Sequence, residues 1–226
     1  MARLGAVIRA SLTDYYFNSM RLVPANVVWG TGVVVLIMVG LVWPPGAVLL
    51  LPLLVLPTAV VFRIAALVVR GAPWAGIGDV VRATRGELPA VLGLGLASVA
   101  TGLILMTNAL TGLARADPFG LVLATLAGWG LVAWWCGAIV AWPLIVDPAR
   151  VGRPLRETLR LAGALLLAHP ARFGGLAVVV LLIVVISTIL TAAILTVSVA
   201  FVALVACRSV YPAADRLEAA MTGERS

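Results

Sequence analysis

Apolar residues run in long blocks along this chain, and block length carries the first conclusion. A bilayer core about 30 Å thick takes roughly 20 residues of helix. Blocks of that size run from Asn26 to Trp43, Gly46 to Val69, Pro89 to Leu113 and Phe119 to Val146. Pro44 and Pro45, then Asp117 and Pro118, stand where a helix must stop, and they predict two tight hairpins. The last block, Phe173 to Cys207, would reach about 52 Å as a single helix of about 35 residues, too long for one span. It is predicted to turn near Ser187 to Thr191, giving spans over 173–188 and 190–207. The pattern predicts an all-α, polytopic transmembrane helical bundle of six spans, or five if the last block stays undivided, in one membrane domain over 1–226.

Between the blocks the period changes to that of helices lying on a surface. Over residues 1–22, Leu4, Ile8, Leu12 and Tyr15 share a stripe while Arg3, Asp14, Asn18 and Arg21 point elsewhere. A weaker case is "GDVVRATRGELP". A stronger one covers about 150–168, where Val151, Leu155, Leu159, Ala162 and Leu166 form an apolar face. Arg153, Arg156, Glu157 and Arg160 take the other side, with Arg153 and Glu157 at the spacing of an ion pair.

Composition agrees with a bilayer as solvent. Of 226 residues, 63% are hydrophobic and 11% charged, and the mean hydropathy is +1.15; soluble domains carry about 25% charged residues. The net charge of +7 rests on 16 arginines with no lysine. In a soluble protein such a balance would suggest nucleic acid. Here the arginines stand between apolar spans, so anionic lipid headgroups are the expected partner and nucleic acid is not. Arg3, Arg9 and Arg21 precede the first span, Arg70, Arg82 and Arg85 follow the second, and Arg150, Arg153, Arg156, Arg160 and Arg172 follow the fourth. The turn at "WPPG" has none. Positive-inside counting therefore expects a multi-pass membrane protein with its N-terminus in the cytoplasm. Six spans also put Arg208, Arg216 and Arg225 on that side. The first 22 residues are too mixed for a secretory signal.

Catalytic constellations are scarce. No lysine means no phosphate-binding P-loop lysine and no Schiff base. His169, the one histidine, reads as an interfacial residue, and Cys136 and Cys207 each lie alone in apolar runs. No catalytic residue, cofactor site or metal site is expected. The acids all fall outside the spans or at their ends, which argues against a proton-coupled carrier. Within the spans the candidate polar site is Arg63, Asn26 and Asn108. Arg63 stands two turns, about 10 Å, before Arg70. It is expected either to snorkel to the headgroups or to face inward, pairing with Asp147 or with carbonyls at a helix end. Asn26 is expected to cap the first span, and Asn108 to bond across to a neighbour. Trp134, Trp135 and Trp142 on the fourth span offer a surface for stacking a sugar. Arg153, Arg156, Arg160, Arg82 and Arg85 are the candidates for docking lipid or a partner protein.

Three stretches carry a family resemblance. "RLVPANVVWG" resembles the Leu-Asn-x-x-Trp opening of the YesL-like family of small bacterial integral membrane proteins, whose biochemical activity is not established. "LPTAVVFRIAALVVRG" is similar to that family's Pro-x-x-Ala run ending in Arg-Gly, followed by a basic helix, here "DVVRATR". "AWPLIVDPARVGRPLRETLRLAGALLLAHP" is similar to its Pro-Leu turn and the amphipathic helix before the final spans. The likeness covers nearly the whole chain. It departs from the family in its lysine-free loops and in a lone Pro57 where a Gly-Pro pair is usual.

The resemblance implies a non-enzymatic accessory protein of a bacterial plasma membrane, associated with carbohydrate ABC import or its regulation, with transporter subunits as partners; homo-oligomers are a separate option. A rival expectation is a permease subunit for a small solute such as a sugar, since "ETLRLAG" is loosely similar to the coupling loop of importer permeases. A membrane-embedded lipid-modifying enzyme ranks third, because no acid or histidine is placed for it.

Overall fold

Each predicted block folds as helix. The computed structural model describes residues 4–72, 86–115, 117–190 and 196–223, with positions 76, 78, 80 and 84 between the first two stretches. Helix α1 (Leu4–Phe17) leads into α2 (Ser19–Val42), then α3 (Pro44–Leu50), a 3-10 turn (Leu51–Leu54) and α4 (Val55–Arg70). After these come α5 (Leu88–Arg115), α6 (Pro118–Ile145), a 3-10 turn (Pro148–Arg150), α7 (Leu155–Ala168), α8 (Pro170–Ile189) and α9 (Ser198–Gly223). Six stretches are long and apolar enough to cross a membrane: Ser19–Val42, Pro44–Arg70, Leu88–Arg115, Pro118–Ile145, Pro170–Ser187 and Ser198–Met221.

Local chemistry sets the boundaries. Prolines open α3, α6 and α8 at their first turn, where the missing N–H has no helical partner to lose. Asp117 caps α6, its Oδ1 accepting from Gly120 N at 2.5 Å. Gly71 ends α4 with φ 64°, a left-handed cap that a side chain would strain. The hairpin of α5 and α6 closes without side chains: a Cβ on Gly112 would lie 2.5 Å from the Gly120 carbonyl oxygen. Each of these helices has 28 residues. At about 42 Å they are longer than a bilayer core of about 30 Å.

Helix α9 occupies the middle. It packs against α1, α2, α4, α6, α7 and α8, and 83% of its most apolar window is buried. Small residues permit this: Ala200, Ala203, Ala206 and Ala214 all lie in the core.

Several boundaries differ from the sequence expectation. The first span begins at Ser19 rather than Asn26, because neither Arg21 nor Pro24 stops the helix. The second is broken into α3, a 3-10 turn and α4 around Pro52. The last block divides, but α9 runs to Gly223, well past Cys207, since Arg208, Asp215 and Glu218 find partners along its length. Helix α7 starts at Leu155, so Arg153 precedes it and bonds Glu218 instead of Glu157. Its buried stripe is Thr158, Leu161, Ala162 and Leu165, one position round from the expected face, and Val151 and Leu159 are exposed. In α1 the innermost residues are Val7 and Ser11, while Leu12 is exposed. The basic helix expected around "GDVVRATRGELP", including Arg82 and Arg85, lies largely outside the described residues.

Candidate functional site

Arginines and acids converge at one end of the bundle, where α4 and α6 finish and α9 passes between them. Asp147, fully buried, accepts from Arg70 Nε at 3.1 Å and Nη2 at 2.6 Å, from Arg150 Nη1, and from Ala149 N at 3.0 Å. Arg70 also donates to Asp215 at 2.7 and 3.0 Å, and its guanidinium lies 4.4 Å from the Tyr211 ring centroid. Arg150 donates to Asp215 and to Glu218, each at 2.6 Å, and Arg153 donates to Glu218. Burial alone would lower the Arg150 pKa, but the bonds to Glu218 and Asp215 and the charge of Asp147 outweigh it and raise it.

Arg63 belongs to the same end. It is only 6% exposed and donates from Nη1 to both Glu87 oxygens, at 3.2 and 3.3 Å, and to the Val146 carbonyl at 2.8 Å. Among the two placements expected, it faces the bundle interior and holds a helix-end carbonyl; its acid partner is Glu87, because Asp147 is taken by Arg70 and Arg150. Burial pushes the Glu87 carboxyl above its usual range, with Arg63 pulling it partly back. Tyr211 Oη donates to the Pro143 carbonyl at 3.1 Å, so Tyr211 and Arg63 together satisfy carbonyls that end α6. Arg63, Arg70, Arg150 and Arg153 thus face Glu87, Asp147, Asp215 and Glu218, a cluster of zero net charge.

The remaining candidates separate. Asn26 does not cap its own helix: it is fully buried inside α2, and its Oδ1 accepts from Ala200 N at 2.9 Å, capping α9 instead. Asn108 is half-buried in α5 and makes no hydrogen bond among the described residues. Arg156 and Arg160 share an exposed face of α7 and carry no ion pair within the described chain. The acid cluster was missed by sequence reasoning. Its signal was present in "VDPAR" and in Asp215 and Glu218, three apart on one face of the tail helix.

A second feature lies between the helix ends. Two cavities, of about 420 and about 340 Å³, share Thr58, Ser98, Trp134 and Trp142 in their walls. The larger opens between the 3-10 turn, α4, α5 and α6, and the smaller reaches α2, α8 and the first residues of α9. Trp29 Nε1 donates to Thr58 Oγ1 at 2.9 Å, which in turn donates to the Leu54 carbonyl at 2.7 Å. Trp135 Nε1 donates to the Ala177 carbonyl at 3.2 Å, whereas Trp134 Nε1 is buried without a partner. The Phe62 and Trp142 rings lie 6.0 Å apart. The three tryptophans expected to stack a sugar do line a cavity, together with Trp29. No protein-family model, curated protein or solved structure matches this chain.

Proposed function

We propose that this chain is a non-enzymatic accessory protein of a bacterial plasma membrane that works beside a carbohydrate ABC importer, with its arginine-rich end in the cytoplasm. The resemblance to the YesL-like family supplies the importer. The observation that carries the docking part is the contrast between the closed ionic cluster and α7. Four arginines are neutralised within the chain, and Arg153 is among them. Arg156 and Arg160 stay exposed, one turn apart, with no acid of their own. They are the groups that meet anionic headgroups and an acidic surface of an importer subunit.

A photocrosslinking residue in place of Arg156, activated in native membranes, tests this. Adducts with an importer permease or ATPase subunit, lost when Arg160 is changed to Glu, are expected. Adducts with lipid alone would overturn the partner assignment.

A transporter in its own right is the second reading, favoured by the paired cavities. It expects solute flux when the purified protein is placed in liposomes. The cavity walls are almost wholly apolar, and a free sugar brings many hydroxyls that need partners there. A permease for free sugar is therefore the weaker reading.

A further inference from the structure

The cavities sit in the bilayer interior. Trp134, in the walls of both, is about 24 Å along α6 from Pro118 and about 17 Å from Ile145. A molecule reaching this depth comes from the hydrocarbon, not from water. Three polar groups in these walls lack partners. The hydroxyls of Ser98 on α5 and Ser187 on α8 make no hydrogen bond among the described residues. A helical serine ordinarily bonds back to the carbonyl one turn earlier, so two unbonded ones facing the same space are unusual. The third, the Trp134 N–H, is buried and not open to the space. Away from water each such group is costly to leave unpaired.

The two hydroxyls can each donate, and the walls around them are indole and phenyl faces: Trp29, Phe62, Trp134, Trp135 and Trp142. An acyl chain would fill the space and leave the donors unmet. A sugar would bring many hydroxyls, most of which these apolar walls would leave without partners. A flat ring bearing oxygen acceptors on opposite edges satisfies both the faces and the hydroxyls. We infer that the smaller cavity binds the head of a membrane-dissolved quinone, its ring stacked among the tryptophans and its two carbonyl oxygens accepting from Ser98 and Ser187. The isoprenoid tail leaves through the larger cavity, past Met106, an exposed residue at its edge. No electron transfer is implied. This site is independent of the docking role of α7.

A naphthoquinone with a two-isoprene tail, titrated into phosphatidylcholine vesicles carrying the full chain, tests the inference by quenching of tryptophan fluorescence. Saturable quenching is expected, at one quinone per chain. The double variant Ser98→Ala, Ser187→Ala should bind about tenfold more weakly, the loss of two hydrogen bonds to carbonyls. The same variant should unfold at the same or a higher temperature, because it deletes two unpaired hydroxyls; a purely structural role would not separate the two readouts. If the double variant does not fold, Ser187→Ala alone should weaken binding about threefold. Quenching that rises without saturation, or equally in both proteins, overturns the site.

Discussion

Replacing Asp147 with Asn tests the ionic cluster at its centre. Asn keeps the shape, and its Oδ1 still accepts from Ala149 N, but its amide nitrogen replaces the oxygen that accepts from Arg70 Nη2 and Arg150 Nη1, so the charge and those two hydrogen bonds go together. Asp147 is fully buried and serves two guanidinium groups, while Asp215, which serves the same two, has a side chain 46% exposed. Breaking one side of a buried ion pair costs about 3 to 5 kcal/mol. Arg70 and Arg150 retain Asp215, and Arg150 also retains Glu218, so the lower figure, about 3 kcal/mol, applies. The same change at Asp215 should cost at most about 1 kcal/mol, as for exposed pairs. For a chain of this size about 3 kcal/mol lowers Tm by about 6 to 12 °C. Cys207, fully buried on α9, provides the assay. In a Cys136→Ser background it is the sole thiol, shielded from a fluorogenic thiol reagent until the bundle opens. Heating in detergent then reads Tm directly. Equal losses for Asp147→Asn and Asp215→Asn, or none for the former, would refute the reasoning.

Three further outcomes follow from other parts of the bundle. Asn26→Ala strands the Ala200 N–H where no water replaces the amide, and should destabilise by about 1 to 3 kcal/mol in the same assay. Gly112→Ala pushes α5 and α6 apart against backbone and should cost about 1 to 3 kcal/mol, whereas Gly128→Ala, with nothing within 4 Å of the new Cβ, should stay within about 0.5 kcal/mol of the parent. Glu87 has its folded pKa raised by burial, so its contribution to stability is full below the ordinary glutamate value of about 4.3 and is lost as pH rises through the folded value. Glu87→Gln should flatten the fall in Tm across that window, and an unchanged pH profile would show that Glu87 titrates normally.

The spans were legible because length and apolarity are local properties. A run such as Leu88–Arg115 announces itself, and prolines and Asp117 mark its turns. The end of α9 was not legible, since the segment after Cys207 carries arginine, aspartate and glutamate and reads as a polar tail. It is helical because Arg70 from α4, and Arg150 and Arg153 from the link between α6 and α7, approach it, a fact of tertiary placement. Asn26 misleads for the same reason: an asparagine near the start of an apolar run looks like a cap, and only packing reveals that it caps α9. Arg63 stands out as the one cation within a predicted span, yet its acid, Glu87, lies 24 residues on, a pairing that periodicity does not give. The tryptophans of α6 were visible, but the cavities they line depend on glycines and serines of other helices.

The central position of α9 also imposes an order on biosynthesis. It is the last of the described spans to leave the ribosome, and the others are arranged around it. Until it enters, α1, α2, α4 and α6 share an unfilled slot, and Arg70, Asp147 and Arg150 wait at its mouth without Asp215 and Glu218. Insertion of this one helix converts a set of separately threaded hairpins into a single cooperative body. A ribosome that stalls before Ser198 leaves behind a polypeptide already in the bilayer yet unable to consolidate, the kind of half-made product that membrane proteases remove.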